Sequence, residues 1–194
     1  RCSAEHGIDV LQVIEACNSQ PFSHIHQPGI AVGGHCIPIY PRMYLWNDPE
    51  ATVVRAAREA NAEMPGYAAA QLEAAHGSLF GQRVAVLGAA YRGGVKETAF
   101  SGVFPLVAAL RDRGGRVLVH DPMYSDAELQ GYGFEPYSTG QPADAVVVQA
   151  DHAEYRDLSS ADVPGVRTVV DGRRVLASQA WDVDAFVVLG RARR

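Results

Sequence analysis

Val84-Ala85-Val86-Leu87 is the stretch that most limits the folds open to this chain. It follows Arg83 and is closed by Gly88, with no polar residue inside it. A half-exposed strand alternates apolar and polar side chains, whereas a run apolar on both faces must be covered on both faces. The pattern recurs at Arg116-Val117-Leu118-Val119-His120, Ala145-Val146-Val147-Val148-Gln149, Arg167-Thr168-Val169-Val170-Asp171 and 185–189. Between the first two runs, 102–113 reads as a helix closed by Gly114-Gly115. Strand, helix, strand in this order is the βαβ unit of a parallel sheet.

The expected fold class is therefore α/β, with an open, Rossmann-like parallel sheet from about residue 81 to 190. A short helix is expected at 127–130. The preceding part, 1–80, reads as helical. Residues 1–6 look like the end of a helix closed by Gly7, and no initiator Met precedes them, so the chain is expected to continue a longer protein. Asp9 can cap a helix whose apolar face is Val10, Leu11, Val13 and Ile14. Asp48-Pro49-Glu50 reads as the start of a long Ala-rich helix, Ala51 to His76, kinked or broken at Pro65-Gly66.

Composition excludes several classes. The chain has 194 residues, 47% of them hydrophobic and 20% charged, enough for a packed core in one or two domains. A net charge of -5 argues against a nucleic-acid partner. The closing Arg191-Ala192-Arg193-Arg194 reads as a solvated tail. No run of about 18 apolar residues offers a membrane span. Cys2, Cys17 and Cys36 lack metal-ligand spacing, which favours a reducing, cytoplasmic setting. His24, His26 and His35 gather in one region without a carboxylate at ligand spacing, so no metal site is expected.

Chemistry concentrates in Pro28-Gly29-Ile30-Ala31-Val32-Gly33-Gly34-His35-Cys36-Ile37-Pro38. Its glycines allow close approach to the backbone, and its prolines stiffen the flanks. Cys36 is expected on this loop, within an irregular, proline-rich region over 21–47. It reads either as a nucleophile, favoured by a protonated imidazole alongside, or as a small apolar side chain beside a turn. The turn Gly88-x-x-x-x-Gly93-Gly94 lacks the G-x-G-x-x-G spacing of a dinucleotide site. Arg92 and the pair Arg173-Arg174 read equally as solvated surface charges. Asp151-His152-Ala153-Glu154-Tyr155 reads as structural, and Asp121 as a turn or cap residue.

The cysteine segment resembles the active-site loop of the nucleotide-sugar 6-dehydrogenases, in the form with His before Cys that typifies the UDP-N-acetylmannosamine type. Leu87-Gly88-Ala89-Ala90-Tyr91-Arg92 is similar to the motif opening that family's UDP-binding domain, with Arg92 where Lys is usual. Asp171-Gly172-Arg173 is similar to the Asp-Gly-Arg motif near the family's chain end, and Asn61 matches a recurring position. The resemblance implies a central domain at 1–80, dimerising through the long helix, and a UDP-binding domain at 81–190. It implies oxidation of a UDP-sugar C6 alcohol to the uronic acid with NAD. Cys36 would form the thiohemiacetal and then the thioester. Gly33 would offer its backbone to the sugar, Tyr91 and Arg92 would touch the nucleotide-sugar, and Arg173 would reach the substrate, commonly from the adjoining subunit.

Three features depart from the family. The NAD-binding domain precedes residue 1 in the family, so these residues alone are expected to be inactive. Tyr40 stands where an Asp helps activate water, and a phenol is a poor base at neutral pH. Ala99 stands where an arginine reaches NAD. The alternative is a non-catalytic module for dimerisation and UDP-sugar binding.

Overall fold

The computed structural model describes residues 2–191, so Arg1 and the last residues of the basic tail lie outside the described residues. Helix α1 (Cys2–Glu5) is one turn, followed by Gly7 at φ +75°. Helix α2 (Val10–Asn18) starts where expected, with the Leu11 N–H donating to Asp9 Oδ1 at 3.0 Å. Helix α3 runs over Cys36–Asn47 and α4 over Thr52–His76.

Two expectations fail between them. Cys36 is not on a loop but is the first residue of α3. Pro38 falls in the first turn, where its missing N–H costs nothing, while Pro41 is tolerated inside the helix. Asp48 does not cap α4. It closes α3, donating its N–H to the Tyr44 carbonyl, and α4 begins after Ala51. Helix α4 is also unbroken at Pro65-Gly66. Pro65 is buried there beside Ala68, Ala69 and Leu72, so packing outweighs the lost helix bond.

The sheet has six parallel strands in the order β3-β2-β1-β4-β5-β6. These are β1 (Arg83–Leu87), β2 (Arg116–His120), β3 (Glu135–Pro136), β4 (Ala145–Val148), β5 (Thr168–Asp171) and β6 (Ala185–Val188). Helix α5 (Val103–Arg111) joins β1 to β2, and α6 (Asp126–Gly131) joins β2 to β3. The α/β class and parallel sheet stand as read. Strand β3 escapes a pattern reading because two residues carry no period.

The doubly apolar runs are explained by two cores. Val84, Val86, Val117, Val119 and Val147 face one side, against Leu72 of α4 and Leu106 and Leu110 of α5. Ala85, Leu87, Leu118, Val146 and Val148 face the other. That second face is covered by Tyr137, Tyr155, Val163, Leu176 and Trp181, from loops and single 3₁₀ turns rather than long helices. The half of α4 before Pro65 has no buried residue, and Val53 there is largely exposed. Among the described residues, no helix is long and apolar enough to cross a membrane.

Candidate functional site

The glycine segment is held between α4 and the turn after β1. Ile30 is buried in the core, and the Val32 N–H donates to Asn61 Oδ1 at 2.8 Å. Gly34, at φ +86°, donates its N–H to the Ala99 carbonyl at 2.8 Å. A Cβ on Gly33 would lie 2.6 Å from Tyr91 Cβ and 2.8 Å from the Phe100 carbonyl oxygen. A Cβ on Gly34 would meet the Tyr91 ring at 3.3 Å. Glycine is required here because two backbones and a ring share one space. Gly33→Ala is therefore expected to cost about 1–3 kcal/mol by overpacking, read as a lower urea midpoint. An unchanged midpoint would show that the segment lifts freely from Tyr91.

His35 precedes α3, and its Nε2 lies 3.2 Å from Glu97 Oε2. The Ala99 N–H and then His35 hold the Glu97 carboxyl below the usual range. Cys36 is exposed at the start of α3. It lines an open apolar cleft of about 350 Å³ with Ile37, Tyr40, Pro41, Tyr44 and Val54. Tyr40 lies one helical turn beyond the cysteine, so both share a face of α3. No carboxylate lines this cleft.

The turn after β1 is gripped from below. Asp121, 2% exposed at the end of β2, accepts the N–H groups of Ala89 (2.8 Å) and Ala90 (3.0 Å) on Oδ2 and of Met123 on Oδ1. His152, also buried, lies with Nε2 3.1 Å from Asp121 Oδ2, while the Gly94 N–H points to its Nδ1 at 3.4 Å. With Nδ1 accepting, Nε2 carries the proton and donates to the carboxylate. Asp121 and His152 are thus structural, as read, and what they support is the turn carrying Tyr91 and Arg92. Arg92 is exposed, its guanidinium 5.9 Å from the centre of the Tyr91 ring.

The turn after β5 carries Arg173. Asp171 is buried and accepts the N–H groups of Arg173 (2.9 Å) and Leu176 (2.8 Å). Burial pushes its carboxyl up. Arg173 folds back, donating from Nη2 to Asp151 Oδ1 at 2.9 Å. Its guanidinium lies over Gly29, where a Cβ would meet Nη1 at 2.4 Å. Arg174 takes a left-handed φ of 53° and points to Glu15, 3.7 Å away. Gly33, Tyr91 and Arg92 are therefore neighbours, Arg173 reaches the same turn through Asp151, and Cys36 follows two residues after Gly34. Sequence reasoning missed Asp151 and Glu97 as partners of these groups. The only signal was their place at strand ends and loops.

These residues do not fit a dinucleotide. A Cβ on Gly88 would lie 2.4 Å from that of Ala150, and one on Gly93 would lie 2.2 Å from the Asp151 carbonyl. The turn is filled by its own chain, Asp121 is committed to backbone N–H groups, and α5 begins only at Val103. The dinucleotide mode of binding seats its pyrophosphate on an open glycine turn leading straight into a helix.

Two sequence models of the UDP-glucose/GDP-mannose dehydrogenase family match the chain. That of the central domain covers residues 1–63, and that of the UDP binding domain covers 85–178. The chain is 32% identical over 180 residues to a UDP-N-acetyl-D-mannosamine dehydrogenase of Pyrococcus horikoshii, covering 89% of this chain and 42% of that protein. It is 29% identical to one of Methanocaldococcus jannaschii, covering 97% and 45%. A solved UDP-D-ManNAc dehydrogenase from Pyrococcus horikoshii superposes with a TM-score of 0.78 at 30% identity, over 98% of this chain and 46% of that one. A UDP-glucose dehydrogenase from Pyrobaculum islandicum gives 0.84 at 25% identity, over 98% and 46%. The chain spans less than half the length of these relatives.

Proposed function

The chain belongs to the UDP-glucose/GDP-mannose dehydrogenase family, and we propose that it supplies the UDP-sugar site and the nucleophile of a cytoplasmic UDP-sugar 6-dehydrogenase. The observation that carries this reading is the seating of Gly33-Gly34 on Tyr91, closed by the bond from Gly34 to Ala99. It joins the cysteine segment to the nucleotide turn as one unit. In this reading 1–80 is the central domain and 81–190 the UDP-binding domain, with the second half of α4 packed against the sheet of the latter.

Arg92 and Arg173 would meet the diphosphate, for which a guanidinium's planar fork is suited. Gly33 would give its backbone to the sugar, and Tyr91 would flank the nucleotide. The Cys36 thiolate would add to the C6 aldehyde carbon, the carbon–sulfur bond forming as the carbonyl electron pair moves to oxygen. After oxidation, water would cleave the thioester, releasing the uronate and the thiol. NAD is the hydride acceptor expected from the family, and the turn after β1 does not fit it, so no hydride step is assigned to the described residues. The exposed half of α4 and the apolar face of α3 support a homodimer through these helices.

A second reading, a UDP-sugar-binding module without catalysis, is favoured by Tyr40 in a cleft with no carboxylate. Calorimetry with UDP and UDP-N-acetylmannosamine is expected to give binding heat, weakened by Arg92→Ala. The same chain is expected to form no NADH with either sugar nucleotide supplied. Absence of heat would remove both readings, and NADH formation would remove the claim that hydride acceptance lies elsewhere.

A further inference from the structure

Asp151 lies at the point where the elements of the proposed site converge. One oxygen, Oδ1, accepts the Gly93 N–H at 3.0 Å and the Arg173 Nη2 at 2.9 Å. Gly93 ends the turn that carries Tyr91 and Arg92, and Arg173 comes from the turn after β5. The Arg173 side chain is only 16% exposed and rests against Gly29, at the start of the segment leading to Cys36. Gly172, next to it, is packed so closely that a Cβ would lie 2.6 Å from Ile30 Cγ1 and from the Val148 carbonyl oxygen. The backbone on either side of the ion pair is therefore fixed. Burial raises the Asp151 carboxyl, but the Gly93 N–H and the Arg173 charge outweigh it, and the group stays below its usual range.

We infer that Asp151 is a positioning residue for nucleotide recognition, holding Arg173 in a bound-like geometry before any ligand arrives. The inference rests on the proposed UDP site. An arginine has five N–H donors. Asp151 takes one of them on Nη2 and Nη1 packs against Gly29, so the Nε edge is the part left for phosphate oxygens. A free arginine must give up rotamer freedom when it binds, whereas one already anchored gives up less, and the gain appears as affinity. The same carboxylate oxygen also ties Arg173 to the turn that carries Arg92, so the Arg173 guanidinium keeps a set position relative to that turn. Contact with the substrate is left to the arginines, and Asp151 acts through them.

The test is a double-substitution cycle on the full 194-residue chain, with UDP as the titrant. Asp151→Asn keeps an oxygen for the Gly93 N–H and removes the charge that anchors Arg173. It is expected to weaken UDP binding about three- to tenfold. In an Arg173→Ala background the same substitution is expected to change affinity little, because its effect passes through the arginine. A loss of equal size in both backgrounds would mean general damage to the turn and would overturn the inference. Tighter binding by Asp151→Asn would make Asp151 a competitor of phosphate and would also overturn it. Unmodified protein that fails to bind UDP sinks the underlying site and this inference together. Binding that Arg173→Ala weakens and Asp151→Asn leaves alone sinks this inference only. A measurement without substitution protects against misfolded variants: nitrogen relaxation of the Arg173 guanidinium is expected to show a rigid group before UDP is added. A guanidinium that is mobile until UDP arrives would overturn the inference.

Discussion

Replacing Asp121 with alanine is expected to lower stability by about 3–5 kcal/mol, among the larger losses a single substitution can cause. The carboxylate accepts backbone N–H groups from Ala89, Ala90 and Met123 and a hydrogen bond from His152. Asp121 and His152 are 2% and 1% exposed, so water cannot replace the lost acceptor without the turn opening. The sign of the pH dependence follows from the same contacts. Burial raises the carboxyl, yet the His152 hydrogen bond and the N–H groups of Ala90 and Met123 bring it below its usual value. A group with a depressed folded value stabilises fully above its unfolded value, about 4, and loses that contribution as pH falls through the folded value. The deficit of the alanine variant should therefore be full at pH 7 and shrink below about pH 4. Urea unfolding at a series of pH values checks both statements. A deficit under about 1 kcal/mol, or one that does not change with pH, would show that the N–H groups find other partners.

Cys36→Ser is expected to reduce uronate formation by about a thousandfold or more in the assembled enzyme, with UDP affinity of the chain unchanged. Serine nearly matches cysteine in size, and Cys36 is exposed at the start of α3, so little packing is lost. What changes is the nucleophile, because an unactivated hydroxyl at neutral pH is a far weaker one than a thiolate. The Cys36 cleft is apolar, and His35 is paired with Glu97, so the structure offers a serine no dedicated base. The measurement is uronate yield per turnover, beside calorimetry with UDP. A variant that keeps a tenth of the activity would remove Cys36 from the covalent role. A parallel loss of UDP affinity would point to displacement of the glycine segment instead.

Local pattern carried most of the fold. Val84-Ala85-Val86-Leu87 and its repeats marked a sheet covered on both faces because burial on two sides leaves no polar position. Asp9 and Gly7 punctuated the first helices because capping and left-handed backbone are local properties. The motif residues Gly33, Cys36, Tyr91, Arg92 and Arg173 were all legible as sites to examine. Three features were not. Cys36 heads a helix despite the glycines and prolines around it, and α4 runs through Pro65-Gly66. The third is the joining of Asp151, Gly93, Arg173 and Gly29, which lie far apart in the chain. The sequence by itself determined which segments must be buried and where the strands and the first helices end, because both follow from side-chain polarity and backbone sterics within a few residues. Only the tertiary structure decided which of those ends meet, because parallel strands bring their carboxyl ends together through crossovers whose length and path the local pattern does not encode.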